Sequence, residues 1–269
     1  MTATSGPGRR GCRGRGIGGG IGVGGRRVDL RPDAPAGRLY IRAFPDAVLA
    51  VRPPDYFPPA AHAALLAQAD AVVLADTFAF SRQSTHNRAR ILTSQGARWL
   101  TVPRGHAPVG TPLRDVPVVA DGWPRRHVRS LLTAYGMAPF AEALVPEVEA
   151  LLAGPWASVG ALAAAATAWT LRRLGGPADV RLASDLPGAP ATLAGVWAAA
   201  GRPALLSLTP DRDRAALAGT DAAVHAVTFE EPPRRQVWTV DNAFTPALSV
   251  LDVLLTYGPG SRDALGLKG

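Results

Sequence analysis

Five short segments alternate in kind between residues 179 and 230, and this alternation limits the fold more than any other feature of the chain. "DVRLASDL", "ALLSLT" and "AAVHAVTFE" are short, apolar and rich in β-formers. "ATLAGVWAAAG" and "DRDRAALAG" between them carry helical patterns. Strands that alternate with helices argue for an α/β layer with partly parallel pairing, because a parallel crossover needs a helix to span it. Upstream, "AVLAVRPP" reads as a strand closed by Pro53-Pro54, and "PPAAHAALLAQA" as a helix with proline near its start. "DAVVLADTFAF" is a continuous apolar run of strand length, which suits a position buried on both faces of a sheet. "RLYIRAF" is a further expected strand, and "ARILTSQGARWLTVP" reads as strand, turn and strand bending at Gln95-Gly96. The fold class expected is α/β: a mixed sheet flanked by helices, in a single main domain.

The middle of the chain is helical. In "GWPRRHVRSLLTAYGMAPF", Trp123, His127, Leu131 and Tyr135 recur at a spacing of four, while Arg125, Arg126 and Arg129 fall off that stripe. "AEALVPEVEALL" and "SVGALAAAATAWTLRRLGG" supply two more helices. A last helix is expected to open at Thr245 as N-cap, with Pro246 in its first position, and to end before Gly258.

The 269 residues divide into a Gly/Arg-rich tail, 1–36, and an α/β domain, 37–269. The tail has too little apolar surface to offset the entropy of ordering it, so it is expected to be disordered. It also explains the charge. Seven arginines and two aspartates give residues 1–36 a charge of +5, which leaves +3 of the total +8 for everything else. Aromatics are not interleaved with those arginines, so nucleic acid is not the expected partner. The GxGxxG at Gly20, Gly22 and Gly25 follows no strand and is set aside as a dinucleotide site. Cys12 is the single cysteine, and the five histidines are scattered without HxH or HExxH spacing. No metal site and no cofactor is expected. No segment reaches the length of a membrane span, and a cytoplasmic location is expected.

Several polar residues sit where chemistry could occur. The helix "PALSVLDVLLTY" is apolar almost all round, so Asp252 in its middle must meet a cation or several donors once buried. Asp252 and Ser249, three residues apart, either tie this helix to a loop or serve a ligand. His127 faces the apolar stripe of its helix, either as a satisfied core residue or as a general base. Asp76 ends an apolar strand, where a side chain either caps a turn or faces a ligand crevice. Arg88 and Arg90 lie two apart on a strand, with Asn87 alternating, and share a face. They can form a fork for a carboxylate or phosphate. Their counter-charge is internal (Asp76 or Asp252) or an anionic ligand; a solvated hairpin edge is the third option.

Taken in order, "PDYFP" at 54–58, "ADAVVLAD", "NRARI" followed by Gly96 and "WLTVP", "WPRRHVRSLLTAYGMAPF" and "FTPALSVLDVLLTYGPG" resemble the WbqC-like family. The resemblance spans roughly residues 48–260 and is weakest between about 175 and 235. Pro53 stands where the family usually has glutamine. Asp76-Thr77, then Ala79 and Phe80, replace its usual acidic pair, glutamine and aromatic. The resemblance implies a bacterial protein of surface-polysaccharide or other glycosylated-product synthesis, described as a transferase on an activated sugar. On it, His127, Asp76 and Asp252 are candidates for catalysis, and Tyr56, Asn87, Arg88, Arg90 and Ser249 for binding. The implied partner is a small anionic molecule, a nucleotide-sugar or an acyl donor. A non-catalytic binding or assembly protein of the same pathway is the alternative.

Overall fold

The computed structural model of the chain describes Met1 and residues 48–201, 203–238 and 243–267. The Gly/Arg-rich stretch, Cys12, the glycine pattern at 20–25 and the strand expected at 38–44 lie outside the described residues.

The first described strand, β1 (Val48–Arg52), leads through a proline-rich turn into α1 (Ala60–Gln68) and then β2 (Ala71–Leu74). The third strand of this sheet, β5 (Asp179–Leu182), pairs with the outer side of β2. The chain then returns through α5 (Leu193–Ala199) to β6 (Ala204–Ser207) on the other side of β1, and through α6 (Pro210–Ala216) to β7 (Val224–Ala226). All four pairings are parallel, in the order β5-β2-β1-β6-β7. The winding therefore reverses beside β1, and the point of reversal lies between β1 and β6. The antiparallel pairing expected from the sequence is also present, but in a separate hairpin of β3 (Arg88–Thr93) and β4 (Gly96–Thr101). Gly96 follows the turn with φ +88°, a left-handed conformation that costs glycine little.

Successive strand residues face opposite sides of the sheet, and both sides are covered. Ala50, Val72 and Leu74 join a large core with α1. Leu49, Ala71, Val73 and Leu205 join a second core with Val196 and Trp197 of α5. This is why "AVVL" is apolar at every position: all four residues are buried.

The connection from β2 to β5 carries the hairpin and three helices, α2 (Trp123–Tyr135), α3 (Ala141–Leu152) and α4 (Val159–Arg173). They fill the larger core. The stripe Trp123, His127, Leu131 and Tyr135 is buried as its spacing requires, while Arg125, Arg126 and Arg129 are exposed.

The last long helix departs from expectation. α7 (Leu251–Tyr257) starts at Leu251, not at Pro246, although it does end before Gly258. The segment before it pairs instead. Ala60 N–H donates to the Leu248 carbonyl, Ser249 N–H to Arg90 and Val250 N–H to Pro58. Those bonds outweigh the roughly 1 kcal/mol that a threonine cap offers. A final turn of helix, α8 (Ser261–Ala264), follows.

Candidate functional site

Ligands in doubly wound sheets bind beyond the carboxyl ends of the strands, where the winding reverses. Here that place is the turn 53–59, which leaves β1 beside the end of β6. Four of its seven residues are proline (Pro53, Pro54, Pro58 and Pro59), so the backbone is stiff and has few N–H groups to satisfy. Distant segments hold the rest. Asp55 N–H donates to Thr167 Oγ1 (3.1 Å), which donates back to the Asp55 carbonyl (2.9 Å). Tyr56 N–H donates to the Thr85 carbonyl at 3.0 Å. Ser249 Oγ donates to the Phe57 carbonyl at 2.9 Å. Phe57 itself has φ +50°, a left-handed conformation costing a bulky residue about 1–2 kcal/mol. Such strain persists where the surroundings over-determine it, and that is most often at functional sites.

The turn delivers a buried carboxylate, Asp55, to three partners. Oδ1 accepts from Thr85 Oγ1 at 2.6 Å, and Oδ2 lies 2.7 Å from Nδ1 of His62 in the first turn of α1. His86 Nδ1 is 3.8 Å from Oδ1 and bonds the Pro54 carbonyl instead, at 3.1 Å. Arg52, at the end of β1, places Nη2 2.9 Å from His62 Nε2. A single tautomer satisfies His62: Nδ1–H donates to Asp55, and Nε2 accepts from Arg52. Burial pushes the Asp55 carboxyl up, but the hydrogen bond and charge of His62, then Arg52 and Thr85, outweigh it and hold the group below the usual carboxylate range. Burial, against the pull of Asp55, lowers His86 below the usual imidazole value. Arg52 Nε is buried without a partner.

Tyr56 and His127 meet beside this turn, with the Tyr56 hydroxyl 2.8 Å from His127 Nδ1 and Trp123 packed edge-on against both rings. Burial pushes His127 down to about 4, against the pull of the Thr101 carbonyl. Asn87 Nδ2 donates to the Val102 carbonyl, clamping the base of the hairpin.

The two other candidate acids stand apart from this group. Asp76 lies two residues beyond β2, but both its oxygens accept from Ser184, from the backbone N–H and from the hydroxyl (2.6 Å), which ties the segment after β2 to the turn after β5. Asp252 does meet a cation and a donor: Arg234 Nη2 at 3.5 Å and Gln236 Nε2 at 3.1 Å. Neither Arg88 nor Arg90 supplies that charge. Arg88 Nε donates to the Ser84 carbonyl, and Arg90 Nη1 to the Pro246 carbonyl. The internal pairing of these arginines with Asp76 or Asp252, expected as one alternative from the sequence, is absent among the described residues.

Sequence reasoning passed over Arg52, Asp55, His62 and His86. The signal was available: the strand-end argument that singles out Asp76 applies equally to β1, whose end carries an acid followed by a histidine early in the next helix. Among the described residues no three acidic, histidine or cysteine side chains are placed to hold a metal ion. An apolar cavity of about 10 Å³, room for roughly one water, lies near the starting ends of β1 and β2, between Leu49, Ala71 and Leu186, away from this group. No helix among the described residues is long and apolar enough to cross a membrane.

The family model for WbqC-like proteins matches residues 53–264, from the turn after β1 to α8. No curated protein and no solved structure matches the chain.

Proposed function

Because the chain belongs to the WbqC-like protein family, we propose that it is a transferase acting on an activated donor, a nucleotide-linked sugar or an acyl donor, in bacterial glycan or glycosylated-metabolite synthesis. One observation carries the reading: the Asp55–His62 pair, 2.7 Å apart, stands at the carboxyl end of β1 where the winding reverses. Asp55 orients His62 by accepting from its Nδ1–H. His62 Nε2 takes the proton of an acceptor hydroxyl or amine. The acceptor oxygen or nitrogen then bonds to the transferred carbon, the bond to the leaving group breaks, and Arg52 faces the negative charge that departs. Arg52 donates to Nε2 in the free protein, so the acceptor takes its place there.

The base assigned from the sequence, His127, is better suited to positioning. Burial holds it neutral down to about pH 4, and its Nδ1 is engaged by Tyr56. Asp76 is satisfied by Ser184, and Asp252 is held through Oδ2 by Gln236 and Arg234; both act as ties within the fold. The non-catalytic alternative predicts Arg88 and Arg90 paired internally with Asp76 or Asp252 and no open cleft around His127; among the described residues the arginines are not so paired, while His127 is buried against Tyr56 and Trp123.

The test is transfer itself. The protein is incubated with a panel of nucleotide-linked amino sugars and acyl donors, and products are read by mass spectrometry. His62→Gln is expected to lower turnover by about 10²- to 10⁴-fold. Glutamine keeps an N–H donor toward Asp55, and Arg52 and Thr85 still face that carboxylate, so the variant should stay folded, which its melting transition checks. A His62→Gln variant that turns over at the parent rate removes the dyad from the reaction.

A further inference from the structure

The β3–β4 register sets Arg90 across from Trp99 and Arg88 across from Thr101. Residues two apart share a face, so these four side chains form one side of the hairpin, while Ala89 and Leu100 on the other side are buried in the core. Trp99 is 48% exposed and is the one large exposed aromatic among the described residues. Arg88 covers one face of its ring, with Cζ 4.5 Å from the centroid. About half of the Trp99 residue surface is left to solvent. Both arginines spend donors on backbone carbonyls, Ser84 and Pro246, and among the described residues neither has a carboxylate at ion-pair distance. An exposed aromatic thus shares one hairpin face with two cations that no carboxylate among the described residues neutralises.

We infer that this face binds a nucleoside diphosphate, with the base stacked on the exposed part of the Trp99 ring and the phosphates held by Arg90, while Arg88 braces the indole and adds a second positive charge. Stacking suits any base because every base has a π face, and guanidinium forks match phosphate oxygens. A single nucleotide fits better than a nucleic acid strand, which needs a series of aromatics for successive bases. Its place suits a donor. Arg88 folds back on the Ser84 carbonyl, and the next residue, Thr85, donates to Asp55. The inference rests on the transferase reading for what is moved, but binding decides it.

Isothermal titration of the full chain with UDP, dTDP, CDP, GDP and ADP, with the matching nucleoside, and with pyrophosphate is the experiment. At least one nucleoside diphosphate should bind, and Trp99→Ala should weaken it about tenfold or more. Trp99→Phe, which keeps a ring, should recover part of that loss. Arg90→Ala should weaken the diphosphate and leave the nucleoside little changed. His62→Gln should bind like the parent, so lost turnover with intact binding separates the two proposals. The inference is overturned if no diphosphate binds, if Trp99→Ala binds as the parent does, or if pyrophosphate alone binds as tightly. Affinity for oligonucleotides that grows with their length would assign the face to single-stranded nucleic acid instead.

Discussion

Asp252 sits on a helix with almost no water around it, and its side chain is fully buried. Burial raises its carboxyl above the usual range, while Gln236 and then Arg234 pull it back. Arg234 in turn lies 2.7 Å from Glu231 and stacks 5.0 Å from the Phe244 ring. One guanidinium therefore serves two buried carboxylates. Removing it leaves both uncompensated, so Arg234→Met should cost about 3–5 kcal/mol. Urea midpoints measure it. The double variant Arg234→Met with Asp252→Asn should cost less than the two single changes added together, as coupled neighbours do. The need for a partner at Asp252 was legible in the sequence, because an all-apolar helix must be buried. The partner's identity was not. Arg234 lies in "EEPPRRQV", which has no periodicity, and nothing local connects it to position 252.

Elements whose faces are set by their own pattern were legible: the buried stripe of α2, the hairpin, and the helix–strand alternation of the last third. The start of α7 was not, because Thr245-Pro246 is a local signal and the bonds that override it come from Pro58, Ala60 and Arg90. The other end of α7 follows local chemistry. Gly258 has φ +52° and its N–H caps the Leu254 carbonyl. A Cβ there would meet the Phe140 ring, at 2.4 Å from Cδ1, so the close approach and the backbone both require glycine. Gly258→Ala should destabilise the protein by about 3 kcal/mol, the strain of a left-handed residue plus overpacking. Calorimetry should show a lowered melting temperature, and an unchanged one would mean that Phe140 moves aside freely.

At the scale of the molecule, strand order was the part hidden from the sequence. β2 ends at Leu74 and its partner β5 begins at Asp179, with a hairpin and three helices between them, and no local pattern reports a pairing across that distance. The Tyr56–His127 contact is one of the joints between that insertion and the sheet, and it titrates. Burial pushes His127 down to about 4; Arg126 lowers it further, while the Thr101 carbonyl and Asp121 pull it up. Burial also lowers His86. In the unfolded chain both return to about 6.5. Above that pH both states carry neutral imidazoles, and the stability these groups contribute is fully present. Between about 6.5 and 4 the unfolded chain binds protons that the native state refuses, so stability falls as pH falls. His127 alone accounts for a loss of about 3 kcal/mol across that window. Asp55, held below its ordinary value, extends the loss at lower pH, whereas Asp252, raised above its own, works against it. Glutamine at position 127 does not titrate. Urea unfolding of the parent and of His127→Gln from pH 7 to pH 4 should therefore show a gap at neutrality, from the lost packing against Tyr56 and Trp123, that narrows by about 3 kcal/mol toward pH 4. Two curves that run parallel over the whole range would mean that His127 is protonated as easily inside the fold as outside it.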